Sequence, residues 1–235
     1  VDHGVELVER VVESVGAKPG RLFAEHDRWL GPWIEGEPEP MAVEVLEKLT
    51  LPSGRPLPPS LRTWLAFDTS LLRRFDWFAD KGVGQVAPVT LTDFVRAIEI
   101  RGYEGADLDE PDEEGVSWND IWGRESLRPL ARFDECLPLP SPGRSVGLHL
   151  VLVAGEPDAY GEYPVFYYAD LARDVPEFGV QYPGFDVYLA HMAGVLDIDF
   201  SRGITALETH PDYGSRMRRH AQHCFDGEFS GLPFA

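Results

Sequence analysis

The 235-residue chain is 43% hydrophobic and 26% charged, the composition of a globular protein long enough to bury one substantial core. Forty acidic residues against 21 basic ones give a formal charge of −19 and a pI near 4.6; such a field repels phosphate backbones, so no nucleic-acid partner is expected, and it attracts a basic protein. Two cysteines, Cys136 and Cys224, are too few for a disulfide scaffold and fit a reducing compartment.

The start, VDHGVELVERVVESVG, is acidic and amphipathic, unlike a signal peptide. Val5, Val8, Val12 and Val15 recur at helical spacing and predict a helix ending near Gly16 or Pro19. The next stretch, rich in Pro, Gly and Trp, is irregular. Residues 41–49 predict a second helix and 57–67 (LPPSLRTWLAF) a third, with Pro58 and Pro59 where a helix starts and Leu61, Trp64 and Leu65 on one face. TDFVRAIEI reads as either a helix capped by Thr92 or a strand. Residues 101–128 form the loosest part; EGADLDEPDEEG packs seven acids into 12 residues and predicts a solvated loop.

Beyond it the pattern turns to strands. ARFDECLPL, GLHLVLVAG and EYPVFYYAD are three β-rich runs separated by turn compositions. A further turn leads to a helix in YPGFDVYLAHMAGVL, with Phe185, Leu189 and Met192 on one face, and the tail from 197 to 235 holds short apolar pieces with many His and Arg residues. Helices, then consecutive strands, then a helix predict an α+β class with a mainly antiparallel sheet. One domain is expected over 1–235, its core at 41–195, with the N-terminal helix and the tail as elaborations. No apolar run approaches the roughly 18 residues that span a bilayer, so a cytoplasmic protein with no membrane partner is expected.

Chemistry-bearing motifs are missing. There is no Gly-rich dinucleotide loop after a strand, no phosphate-binding loop, no nucleophile elbow and no His-Glu-x-x-His. Asp107 and Asp109 fit the first two ligand positions of a calcium loop, but Pro111 occupies the third. His210, His220, His223 and Cys224 are metal-ligand types, with His220 and His223 able to share a helical face, yet Arg216, Arg218 and Arg219 oppose a cation there and predict a surface helix instead. Asp76 and Asp186, each beside an aromatic residue, read as surface or capping groups. No catalytic residue, metal or cofactor is expected, and no oligomeric state is specified.

Two segments carry a resemblance. Leu57-Pro58, the short helix and Trp64-Leu65-x-Phe67 resemble the opening element of the SUKH superfamily, and GLHLVLVAGEPDAYGEYPVFYYADLARDVPEFGVQYPGFDVYLAHM is similar to that family's strand, turn, strand, turn and closing helix. The 101–140 segment is longer and more acidic than the family core. SUKH members include a yeast cell-wall regulator family and many bacterial immunity proteins. The resemblance implies a non-enzymatic binding protein that neutralises a cognate toxin, possible nucleases among them, with Leu57, Pro58, Trp64, Leu65, Phe185 and Leu189 as buried fold determinants. A basic toxin surface would be met by Asp107, Asp109, Glu110, Asp112, Glu113 and Glu114, or by Trp29, Trp33, Trp118 and Trp122 as aromatic anchors. A regulatory scaffold of the same fold, and an enzyme with a metal in the His-rich tail, are the alternatives.

Overall fold

The computed structural model describes residues 1–18, 36–73, 77–78, 84–102, 130–140, 148–169, 177–200, 203 and 206–234. Helix α1 (Gly4–Ala17) buries Leu7, Val8, Val11 and Val15. This stripe is rotated from the expected valine line, and Val5 is exposed. The reason is tertiary: α1 lies against both α3 (Pro59–Phe67) and a later helix, α6 (Phe185–Met192), and Leu7 meets that double contact better than Val5. The second predicted helix shortens to α2 (Val43–Leu46).

Helix α3 forms as its sequence predicts, with Pro59 in the first turn and Ser60, Leu61, Trp64 and Leu65 buried. Asp68 follows it, fully buried, and caps α4 (Ser70–Arg73) by accepting from the Leu71 N–H and the Ser70 hydroxyl. The ambiguous TDFVRAIEI segment is helical, α5 (Leu91–Gly102). Its cap is Thr90, not Thr92: the Thr90 Oγ1 accepts from the Asp93 N–H at 3.0 Å and donates to the Asp93 carboxylate at 2.8 Å, a reciprocal capping box.

The three expected strands are β1 (Cys136–Leu139), β2 (Leu148–Val153) and β3 (Val165–Ala169). Two more complete the sheet, β4 (Glu177–Tyr182) and β5 (Ser230–Gly231), in stretches that the sequence reading gave to a turn and to the tail. The order is β1-β2-β3-β4-β5, antiparallel throughout, with Leu150 opposite Tyr167 and Phe166 opposite Val180. The fold is therefore α+β. Gly179 is required in β4 because the Tyr167 ring lies 2.1 Å from where a Cβ would stand.

All five residues of β3 are buried, so both faces of the sheet are covered. On one face lies the tail helix α7 (Gly214–Phe225), whose Phe225 ring sits 5.1 Å from that of Phe166. Helix α6 is buried on nearly every side, not on one face alone: Phe185 through Ala190 and Met192 are all interior. Leu57, Pro58, Trp64, Leu65, Phe185 and Leu189 are buried as expected, and α1, α3 and α6 pack on one another. Among the described residues no helix is long and apolar enough to cross a membrane.

Candidate functional site

Among the described residues the densest group of ionisable side chains is interior, gathered on Arg216 of α7. Helix α7 lies at the surface as expected, with Arg218, Arg219 and His223 exposed, but its amphipathic pattern turns Arg216, Met217, His220 and Cys224 inward. The guanidinium grips Asp186 with both ends of its fork, at 2.8 and 3.0 Å, while its Nε donates to Asp158. Asp186 is fully buried, which corrects its reading as a surface group. It does cap a helix, but α1: its Oδ2 accepts the Gly4 N–H at 2.7 Å across 182 positions of sequence.

Asp158 sits in the turn between β2 and β3 and fixes that turn by accepting the Tyr160 and Glu162 N–H groups at 2.8 and 3.0 Å. Glu162 in turn accepts the Ser60 N–H at 3.0 Å in the first turn of α3 and meets the Ser60 hydroxyl at 2.5 Å. Burial, and then the neighbouring Asp186 carboxylate, push the Glu162 carboxyl well above the usual range. Beside this group His220 is fully buried; its Nε2–H donates to the Pro183 carbonyl at 2.9 Å, leaving Nδ1 without a partner. Burial holds its imidazole neutral, with a pKa down to about 4.

The outer side is closed by aromatic rings. Tyr160 covers Arg216, whose Cζ lies 5.0 Å from the ring centroid, and His3 stacks on the same ring at 4.5 Å. The cluster thus ties together the first turn of α1, the β2–β3 turn, α3, α6 and α7. Its donors and acceptors are spent on one another, which suits a clamp. Gly184 is part of it: a Cβ there would lie 2.4 Å from Asp186 Oδ1 and 2.7 Å from Arg216 Nη2. Gly184→Ala is expected to destabilise the chain by about 2–3 kcal/mol, read as a lower midpoint in urea denaturation. An unchanged midpoint would remove the clamp from the stability argument.

A second anchor lies at the start of β1. Glu135, 4% exposed, accepts the Ser53 N–H at 2.7 Å, the Ser53 hydroxyl at 2.6 Å and Arg55 Nη1 at 2.9 Å. These bonds outweigh burial and lower its carboxyl. Beside it a groove of about 430 Å³ runs between Pro52–Ser53 and 85–88.

The sequence-predicted contact residues Asp107, Asp109, Glu110, Asp112, Glu113 and Glu114 lie outside the described residues, as do Asp76, Trp29, Trp33, Trp118 and Trp122. The tail's metal-ligand types do not converge. His220 and Cys224 are interior, His223 is exposed, and His210 stacks on Tyr213 at 4.8 Å. Among the described residues no three His, Cys, Asp or Glu side chains are placed to hold one metal ion. The residues that sequence reasoning missed are Asp158, Glu162 and Arg216; a charged residue at a helical position otherwise filled by Met217, His220 and Cys224 was the available signal for the last.

Comparison with solved structures finds a crystal structure of an uncharacterized protein from Salmonella enterica subsp. enterica serovar typhimurium str. 14028s that is similar over 98% of this chain and 96% of that one, with a TM-score of 0.56 and 16% identity. At that identity the likeness shows the fold alone. No family model matches the chain. No curated protein matches it.

Proposed function

We propose that the chain is a binding protein of the SUKH kind, an immunity protein that neutralises a cognate basic toxin by direct contact in the cytoplasm. The observation that supports it most is the placement of the resemblance residues. Leu57, Pro58, Trp64, Leu65, Phe185 and Leu189 are all buried, on or just before two helices, α3 and α6, that pack on each other and on α1, the role a fold-determining motif has to play. The most concentrated ionisable chemistry is likewise absorbed into a structural clamp, which leaves surface recognition as the reading it favours. The formal charge of −19 would steer a basic toxin onto the surface and speed its capture.

The test is a pull-down with tagged full-length chain from its source cells, washed at low and then high salt, followed by toxicity assays of the retained protein with and without the chain. The proposal expects a basic protein that survives the high-salt wash and whose toxicity the chain suppresses. A retained partner with no toxic activity would overturn the immunity reading in favour of a scaffold.

A further inference from the structure

We infer that Tyr160 anchors the docking surface for a basic protein, one lysine or arginine of which stacks on the outer face of its ring while the acidic flank of α1 meets neighbouring cations. This rests on the binding-protein reading and names the surface that reading needs. Tyr160 is 44% exposed at the tip of the β2–β3 turn. Its inner side is taken: Arg216 Nη1 lies 3.4 Å from His3 Nδ1, and both groups pack on the ring. Groups stacked on opposite faces of a ring would stand about 7 Å apart, twice the usual stacking contact. His3 and Arg216 therefore share one side, and the other faces solvent.

The ring is held ready. Its backbone N–H is fixed by Asp158, which Arg216 locks, so binding would cost little ordering of the turn. Arg216 is balanced by Asp158 and Asp186, which leaves the outer π-face available to a second cation. Apolar exposure gathers here as well. Of the five large hydrophobic side chains exposed among the described residues, Tyr160 is one and Val5 another, the latter next in the chain to Gly4, whose Cβ would stand 3.8 Å from that of Tyr160. The exposed side of α1 then presents Glu6, Glu9 and Glu13, while its Arg10 is spent on Asp2 at 2.7 Å. An exposed ring against the first turn of a helix that bears exposed carboxylates, on a chain of formal charge −19, fits a cationic side chain, not an acidic one.

The experiment titrates a short amidated peptide of alternating arginine and glycine into the full chain and follows tyrosine ring resonances by NMR. Tyr160 signals are expected to move, Tyr160→Phe to bind as the parent does, and Tyr160→Ala to bind about five- to tenfold more weakly. Should Tyr160→Ala fail to fold, the triple variant Glu6→Gln, Glu9→Gln, Glu13→Gln reads the same surface through weaker binding at low salt. Binding that leaves the Tyr160 ring unmoved, no binding, or capture of an aspartate–glycine peptide instead overturns the proposal. A toxin that binds Tyr160→Ala undiminished would overturn this surface and leave the immunity reading standing; peptide binding at Tyr160 with no toxin in the pull-down would do the reverse.

Discussion

Arg216→Met is expected to cost about 3–5 kcal/mol of stability, the usual range for removing one partner of a buried ion pair. The loss comes less from the bonds deleted than from what remains. Asp158 and Asp186, both within the core, would keep their carboxylates with no cation to balance them. Folded domains hold only about 5–15 kcal/mol in reserve, so this single change approaches the limit of folding. Arg216→Lys should fall between, because an ammonium keeps the charge but cannot grip both Asp186 oxygens and Asp158 together. Adding Asp158→Asn and Asp186→Asn to Arg216→Met should recover part of the loss, since an amide oxygen at 186 still accepts the Gly4 N–H. Urea denaturation of the four proteins checks this; a loss under about 1 kcal/mol for Arg216→Met would show that the cluster is not a clamp.

The second large effect is a stability maximum in mildly acidic solution. His220 and His191 both have pKa values lowered by burial to about 4, and the Tyr182 hydroxyl pairs with His191 Nδ1 at 2.8 Å. The unfolded chain takes up these two protons near 6.5, the ordinary histidine value, while the folded chain refuses them, so stability falls as pH drops from 6.5 towards about 4. Glu162 acts in the other direction. Its raised carboxyl keeps a proton in the fold that the unfolded chain releases near 4.5, so stability falls as pH rises above that value.

Below pH 6.5 His191 and His220, joined by His3, whose pKa burial also lowers, outweigh the single proton of Glu162, so stability falls with pH; above it Glu162 reverses the slope, each unmatched proton being worth about 1.4 kcal/mol per pH unit. His220→Gln, whose amide can still donate to the Pro183 carbonyl, should flatten the acid limb. Glu162→Gln should flatten the alkaline limb and steepen the acid one, because the histidine protons then act unopposed. Denaturation midpoints at about pH 5, 6.5 and 8 measure both limbs. A parent profile that rises steadily with pH would contradict the Glu162 assignment.

Much of the architecture is written locally. Pro58-Pro59 followed by Leu61, Trp64 and Leu65 specifies α3 because a proline pair starts a helix cheaply and the apolar spacing gives it one face. The β2 and β3 runs declare themselves by β-branched and aromatic residues between turn compositions, while β1 (Cys-Leu-Pro-Leu) shows only an apolar run. Strand β4 carried a usable signal in the alternation of Phe178, Val180 and Tyr182, obscured by Gly179, whose presence is explained only by the Tyr167 ring on the neighbouring strand. The Thr92 cap was displaced by Thr90 because Asp93, three positions on, can answer Thr90.

By itself, then, the sequence determined the helix-then-strand order, the antiparallel α+β class and the acidic field. Those are properties of local periodicity and of composition. Tertiary structure alone decided which face of α1 is buried, that the tail closes the sheet, and that Asp158, Glu162, Asp186 and Arg216 meet each other and the start of α1. A charged residue announces that it needs a partner or water but not which, because the choice depends on groups as far as 182 positions away being brought within 3 Å. The same holds for Tyr160: its ring is an exposed anchor only because Arg216 and His3, from the two ends of the chain, pack against one side of it.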